Sequence, residues 1–185
     1  MLVTGAGPMG ALSVLAALAA GAAKVFLSEP NERRVQRPES LGATAVMNPR
    51  DVDVVEEVRE VTGGAGVDVA IECAGNEAGL KTCLDGVRTR GTVTQVGLHL
   101  KPVFFDPMRL AEREISIVGT WAYSVHEWPR TTGQITSGAF PVERVAPTGF
   151  HWMKQLPASS TSSSILTGIT SKSLWNRHSA RSKTT

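Results

Sequence analysis

The chain has 185 residues, 42% of them apolar, with a formal net charge of +2. That length suits one domain with or without a tail. No apolar run approaches the roughly 20 residues of a membrane helix, and two cysteines, Cys73 and Cys83, are too few for a disulfide framework or a metal-binding cysteine cluster. The charge is uneven. Residues 144–185 carry six basic and no acidic side chains, whereas residues 1–143 are net acidic, so the body has no nucleic-acid signature.

The first strand, expected over 2–5, runs directly into Gly5-Ala6-Gly7-Pro8-Met9-Gly10 and then an Ala/Leu-rich helix over 8–20. Strand, G-x-G-x-x-G turn and helix form the start of a dinucleotide-binding unit. Gly5 permits the tight turn, Gly7 lets main chain approach a pyrophosphate, and Gly10 lets the helix lie close to the strand. The phosphates would then meet the unpaired N–H groups and positive dipole end of the helix. Pro8 fits its first turn, where the missing N–H is not needed.

The second strand, 24–28, ends at Glu29, 19 residues after Gly10. A carboxylate there can accept both hydroxyls of an adenosine ribose and would repel a 2′-phosphate, which favours NAD over NADP. Arg33 and Arg34 pull the other way, because a guanidinium pairs with such a phosphate.

Further strands are expected over 43–47, 67–72, 91–96 and 115–119, and helices over 31–41, 52–62, 76–88 and 124–137. Pro38 predicts a kink or a shortened helix in 31–41. Gly86, Gly91 and Gly97 are read as turn residues. Alternating strands and helices define an α/β fold, a doubly wound parallel sheet of six strands. Its ligand belongs at the carboxyl ends of the strands, where their order reverses. The histidines His99, His126, His151 and His178 are widely spaced and are read as surface or tail residues. No secretory leader precedes the first strand, so a cytoplasmic location is expected.

Three segments extend the pattern: Val67-Asp68-Val69-Ala70-Ile71-Glu72-Cys73-Ala74-Gly75, Gly91-Thr92-Val93-Thr94-Gln95-Val96-Gly97, and Glu114-Ile115-Ser116-Ile117-Val118-Gly119-Thr120. With the glycine turn, residues 1–145 resemble the cofactor domain of zinc-dependent medium-chain dehydrogenases. Within that superfamily they resemble the butanediol, sorbitol and threonine dehydrogenase group. Trp121-Ala122-Tyr123-Ser124, Trp128-Pro129 and Gly138-Ala139-Phe140-Pro141 lean toward butanediol dehydrogenase.

The resemblance implies NAD as cofactor, with Gly5, Gly7, Pro8, Met9 and Gly10 around the pyrophosphate and Glu29 and Arg34 at the adenosine ribose. It places Cys73, Ala74 and Gly75 beside the nicotinamide ribose. Val96, Gly97 and Leu98, with Gly119 and Thr120, would offer main-chain groups to the carboxamide. It also implies hydride transfer between a secondary alcohol, such as a diol, and NAD, assisted by zinc. The family's zinc ligands lie in a preceding catalytic domain, and no metal ligand or catalytic residue is identified in this sequence. The expectation is a cofactor-binding domain, inactive alone, with a possible homodimer through the last strand.

From residue 146 the pattern stops, and 158–173 are dominated by Ser and Thr. Regrouping the codons of Trp152-Met153-Lys154 by one base forces Asp-Glu. With its neighbours this yields (Pro/Ser)-Leu-Asp-Glu-(Ala/Thr), the motif expected in the family at that point. Ser164 to Asn176 in the same frame is compatible with the family's usual carboxyl end. Residues 146–185 are therefore read as a disordered tail produced by a frameshift or a sequencing error. Two other readings compete with the dehydrogenase: a methyltransferase domain that binds S-adenosylmethionine, and a non-catalytic dimerising nucleotide-binding module.

Overall fold

A computed structural model describes residues 1–34 and 41–145. Pro38 and the 146–185 tail lie outside the described residues. Along the chain run β1 (Leu2–Thr4), α1 (Pro8–Ala19), β2 (Phe26–Ser28), β3 (Ala45–Met47), α2 (Val54–Val61), β4 (Val67–Glu72), α3 (Glu77–Gly86), β5 (Val87–Gln95), α4 (Met108–Arg113), β6 (Ser116–Gly119) and α5 (Trp128–Thr136). Among the described residues, no helix is long and apolar enough to cross a membrane.

The six strands form one sheet in the order β3-β2-β1-β4-β5-β6, with every pairing parallel. This is the doubly wound, Rossmann-like arrangement expected from the sequence. The order reverses between β1 and β4, so their carboxyl ends open the crevice in which such sheets take ligands.

Side chains alternate across each strand and feed two cores. Leu2, Phe26 and Ala70 point to one face and pack with Val58, Leu80, Cys83 and Leu84 of α2 and α3. Val3 and Leu27 point to the other face and pack with Val14 and Leu15 of α1. Because both faces of β1 are buried, Leu2 and Val3 are apolar in succession rather than alternating with polar residues.

Several elements depart from the sequence reading. Only a 3-10 turn, Glu32–Arg34, represents the described part of the expected 31–41 helix. The 124–137 helix divides into a 3-10 turn, Val125–Glu127, and α5. Gly91 is not a turn residue but lies inside β5, which begins directly after α3 and kinks at Arg90 (φ +58°). A side chain at Gly91 would press on the carbonyls of Arg88 and Asp68. The helix α4 was not expected. It is tied to the body by Arg113, whose guanidinium donates to the carbonyl oxygen of Leu84 at 2.9 Å and to that of Val87.

Candidate functional site

The glycine turn joins β1 to α1 at the switch point. Gly5 has φ +87°, a region that disfavours a side chain, and a Cβ there would sit 3.0 Å from the main chain of Ala74. A Cβ on Gly10 would overlap the Gly5 carbonyl oxygen. Both glycines are therefore required by the protein's own packing. Gly7 differs: a Cβ on it would meet no protein atom within 4 Å.

Gly7 is also the N-cap of α1, and no side chain caps that end. By contrast, Asp53 caps α2 by accepting from Val55 N–H at 2.9 Å and Glu56 N–H at 3.2 Å. Asn76 caps α3 by accepting from Gly79 N–H at 2.9 Å. The start of α1 thus combines unclaimed first-turn N–H groups with open space, while Met9 is half exposed beside it.

Glu29 directly follows β2 and is buried at 4% exposure. Its Oε2 accepts the Ala6 N–H at 2.7 Å, and its Oε1 accepts the Asn31 N–H at 2.8 Å. The acid therefore fastens the glycine turn to the β2 exit. Each carboxylate oxygen retains a further acceptor position. Arg34 is exposed on the turn that follows, where its N–H donates to the Asn31 carbonyl at 2.8 Å. A cavity of about 450 Å³ follows the end of β2, lined by Pro30, Asn31, Glu32, Arg33 and Arg50.

On the far side of the switch point, β4 ends in Glu72-Cys73-Ala74-Gly75. The Cys73 N–H donates to the Thr4 carbonyl at 2.9 Å, which sets this turn against β1. Val96, Gly97 and Leu98 leave β5 alongside it, and a Cβ on Gly75 would lie 2.7 Å from the Leu98 carbonyl oxygen. Gly119 closes β6. The N–H and Oγ1 of Thr120 both donate to the Gln95 carbonyl, at 3.0 and 3.1 Å. The structure thus brings the glycine turn, Glu29, 73–75 and 96–98 to one edge of the sheet, with Gly119 and Thr120 beside the end of β5. A cavity of about 830 Å³ is lined by the approach to α2 from Pro49 and by residues of α2, α3 and α4, and by none of these site residues. Its Lys81 and Arg109 are both paired with Asp85.

Sequence reasoning missed one feature of this edge. His99 is not a surface residue: its side chain is 9% exposed, and Nε2 lies 3.0 Å from Oε2 of the fully buried Glu72. His126 is exposed, and His151 and His178 lie outside the described residues. Burial pushes the Cys83 thiol up to about 12, and it also raises Cys73. Among the described residues, no group of three or more His, Cys, Asp or Glu could hold a metal ion. They do not fit a catalytic zinc, which needs three convergent ligands and an open position.

A parallel doubly wound sheet with an uncapped glycine turn at its switch point defines a dinucleotide-binding domain. Comparison with known proteins gives the family. Residues 8–137 match the zinc-binding dehydrogenase family model. The chain belongs to that family, and the matched stretch is the nicotinamide-dinucleotide-binding domain of zinc-type alcohol dehydrogenases. The methyltransferase reading is not favoured.

L-threonine 3-dehydrogenase of Pyrococcus horikoshii is 42% identical over 106 residues, covering 57% of this chain and 30% of the relative. Sorbitol dehydrogenase of Bacillus subtilis is 34% identical over 137 residues, covering 74% and 38%. Among solved structures, 2R,3R-butanediol dehydrogenase from Bacillus subtilis aligns with TM-score 0.72 at 30% identity, over 77% of this chain and 41% of that one. A zinc-binding dehydrogenase from Sinorhizobium meliloti bound to NADP aligns with TM-score 0.70 at 31% identity, over 77% and 43%. The chain therefore spans between 30% and 43% of the length of these relatives.

Proposed function

We propose that residues 1–145 bind NAD(H) as the cofactor half of an alcohol or polyol dehydrogenase. The observation that carries this reading is the uncapped start of α1, which faces open space at Gly7 while Gly5 and Gly10 are closed by protein atoms. A pyrophosphate between these N–H groups would satisfy donors that no side chain serves. Pro8, Met9 and Gly10 would follow its length. The bound nicotinamide supplies the hydride acceptor or donor.

Glu29 supports NAD over NADP. Its carboxylate is fixed by two main-chain donors and keeps acceptor positions for ribose hydroxyls, and its charge opposes a phosphate at the same place. Arg34 would flank the ribose. Cys73, Ala74 and Gly75 would border the nicotinamide ribose. Val96, Gly97, Leu98, Gly119 and Thr120 would present main-chain groups to the carboxamide. Turnover of an alcohol would need zinc ligands that the described residues do not furnish, so we expect binding without turnover from this chain.

The exposed edge strand β6, with Ile117 37% and Val118 49% exposed, supports a homodimer built by strand pairing. A cytoplasmic setting fits this reading.

Thermal unfolding with NADH, NADPH and S-adenosylmethionine tests the proposal. NADH at a hundred times its Kd should add about 2.7 kcal/mol of stability, with less from NADPH and none from S-adenosylmethionine. Stabilisation by S-adenosylmethionine alone would overturn the reading.

A further inference from the structure

Glu72 is inaccessible to solvent and is bonded in four directions. Its main-chain carbonyl accepts the N–H groups of Val96 and Gly97, both at 2.8 Å. Its Oε1 accepts the Gly75 N–H at 2.7 Å, and its Oε2 faces His99 Nε2 at 3.0 Å. One residue therefore joins the β4–α3 turn to the exit from β5. The two segments also touch main chain to main chain, since a Cβ on Gly97 would collide with the Gly75 nitrogen and lie 2.5 Å from Oε2 of Glu72.

The segment after β5 has little else to hold it. Between Gly97 and Val103, Leu98, Leu100, Lys101 and Pro102 are all exposed, and His99 alone turns inward. With Nε2 facing a carboxylate, the tautomer protonated at Nε2 gives a matched donor and acceptor. Nδ1 is buried without a hydrogen-bond partner. An unpaired buried N–H is the rarer and costlier state, which favours the same tautomer.

We propose that the Glu72–His99 pair is a positioning clamp for the nicotinamide half of the dinucleotide site. It acts through the main-chain groups of 96–98, which must be aimed before a carboxamide arrives if the ligand is not to bear the cost of ordering them. His99 itself contacts no ligand in this scheme. The inference rests on the dinucleotide reading above.

The test compares NADH with ADP-ribose, which lacks the nicotinamide, by titration calorimetry on the full chain. His99→Leu removes the pair. His99→Gln keeps an amide N–H that reaches Glu72, and His99→Asn is polar but one methylene too short. His99→Leu should weaken NADH about tenfold and leave ADP-ribose within about twofold, with His99→Gln restoring most of the loss. If His99→Leu fails to fold, the Gln and Asn variants decide the matter by the same contrast.

Equal losses for both ligands, no loss for either, or no rescue by Gln would overturn the clamp. Wild-type protein that binds ADP-ribose and NADH equally would overturn the clamp and leave the dinucleotide reading standing. Wild-type protein that binds neither would overturn both.

Discussion

Glu29 directly follows β2 and Glu72 ends β4, on either side of the switch point, and both are buried acids that fasten a turn. Glu29 is satisfied by two main-chain amides, Ala6 and Asn31, both close to strand ends that the glycine turn already positions. Glu72 is satisfied by one amide, Gly75, and by the ring of His99, 27 residues further along the chain. The proposed adenosine half is thus organised mainly through main-chain contacts. The proposed nicotinamide half depends on a side-chain pair formed only when β4 and β5 align. The two halves should therefore fail in different ways.

The largest effect belongs to Gly10→Ala. The new Cβ would occupy the position of the Gly5 carbonyl oxygen, so the β1–α1 turn must open. A loss of about 5 kcal/mol or more is expected, enough to abolish cooperative unfolding of a marginal domain. Circular dichroism during heating checks this. A normal melt would show that α1 can move away from β1 and that local sterics do not rule this half.

The two acids come next. Glu72→Ala leaves two buried donors, the Gly75 N–H and the His99 Nε2–H, unpartnered at a fully buried position, a loss of about 3–5 kcal/mol at about 1–3 kcal/mol for each. Glu29→Ala also removes two acceptors, but Asn31 is exposed and its N–H can turn to water. The expected loss is about 1–3 kcal/mol. Urea denaturation of the two variants compares them directly, and equal losses would erase the proposed asymmetry.

Much of the glycine turn was legible because the G-x-G-x-x-G spacing and the acid after β2 are written in the sequence itself. Gly10 excludes a side chain through the carbonyl of Gly5, five residues back, whereas Gly5 is closed by Ala74 across the switch point, and Glu29 follows Gly10 at the spacing of one helix and one strand. β4 was legible to the residue, since Val67–Glu72 is bounded by Gly66 and the Cys73–Gly75 turn. His99 was not, because no periodicity announces a partner 27 residues away. α4 was missed for another reason. Of its six residues none is fully buried and only Leu110 packs against the core, so it has no apolar stripe. The available cue was Asp106, whose carboxylate accepts the Met108 N–H at 2.9 Å ahead of the helix. The expected 31–41 helix failed in its described part because Asn31 instead bonds Arg33 and Arg34, through Oδ1 and its carbonyl, in a tight turn.

A smaller effect concerns Cys83, which packs against Thr4 with Sγ 3.6 Å from Oγ1. Burial, reinforced by the charge of Glu72, raises its thiol from 9.0 to about 12. Between those values the folded chain keeps a proton that the unfolded chain gives up. Stability is therefore full below about pH 9 and falls as pH rises toward 12, by at most about 1.4 kcal/mol per pH unit. Cys73, also raised, adds in the same direction. Urea midpoints measured from pH 8 to 11 should show this decline, and Cys83→Ala should make it shallower. An unchanged slope in Cys83→Ala would assign the alkaline loss to other groups.

The smallest effect on stability is the most informative about the ligand. Gly7 has φ −67°, which any residue adopts, and a Cβ there meets no protein atom. Gly7→Ala should cost at most about 1 kcal/mol, because alanine is the poorer N-cap while the reduced freedom of the unfolded chain offsets part of that loss. The fold itself therefore leaves room for a side chain at this position. If a pyrophosphate occupies the open space, the added methyl group should weaken NADH and ADP-ribose together, because both carry the same pyrophosphate. That pattern is the opposite of the one expected for His99→Leu, which should separate the two ligands. A Gly7→Ala protein that melts normally and binds NADH as the wild type does would place the phosphates elsewhere and remove the main support for the adenosine half.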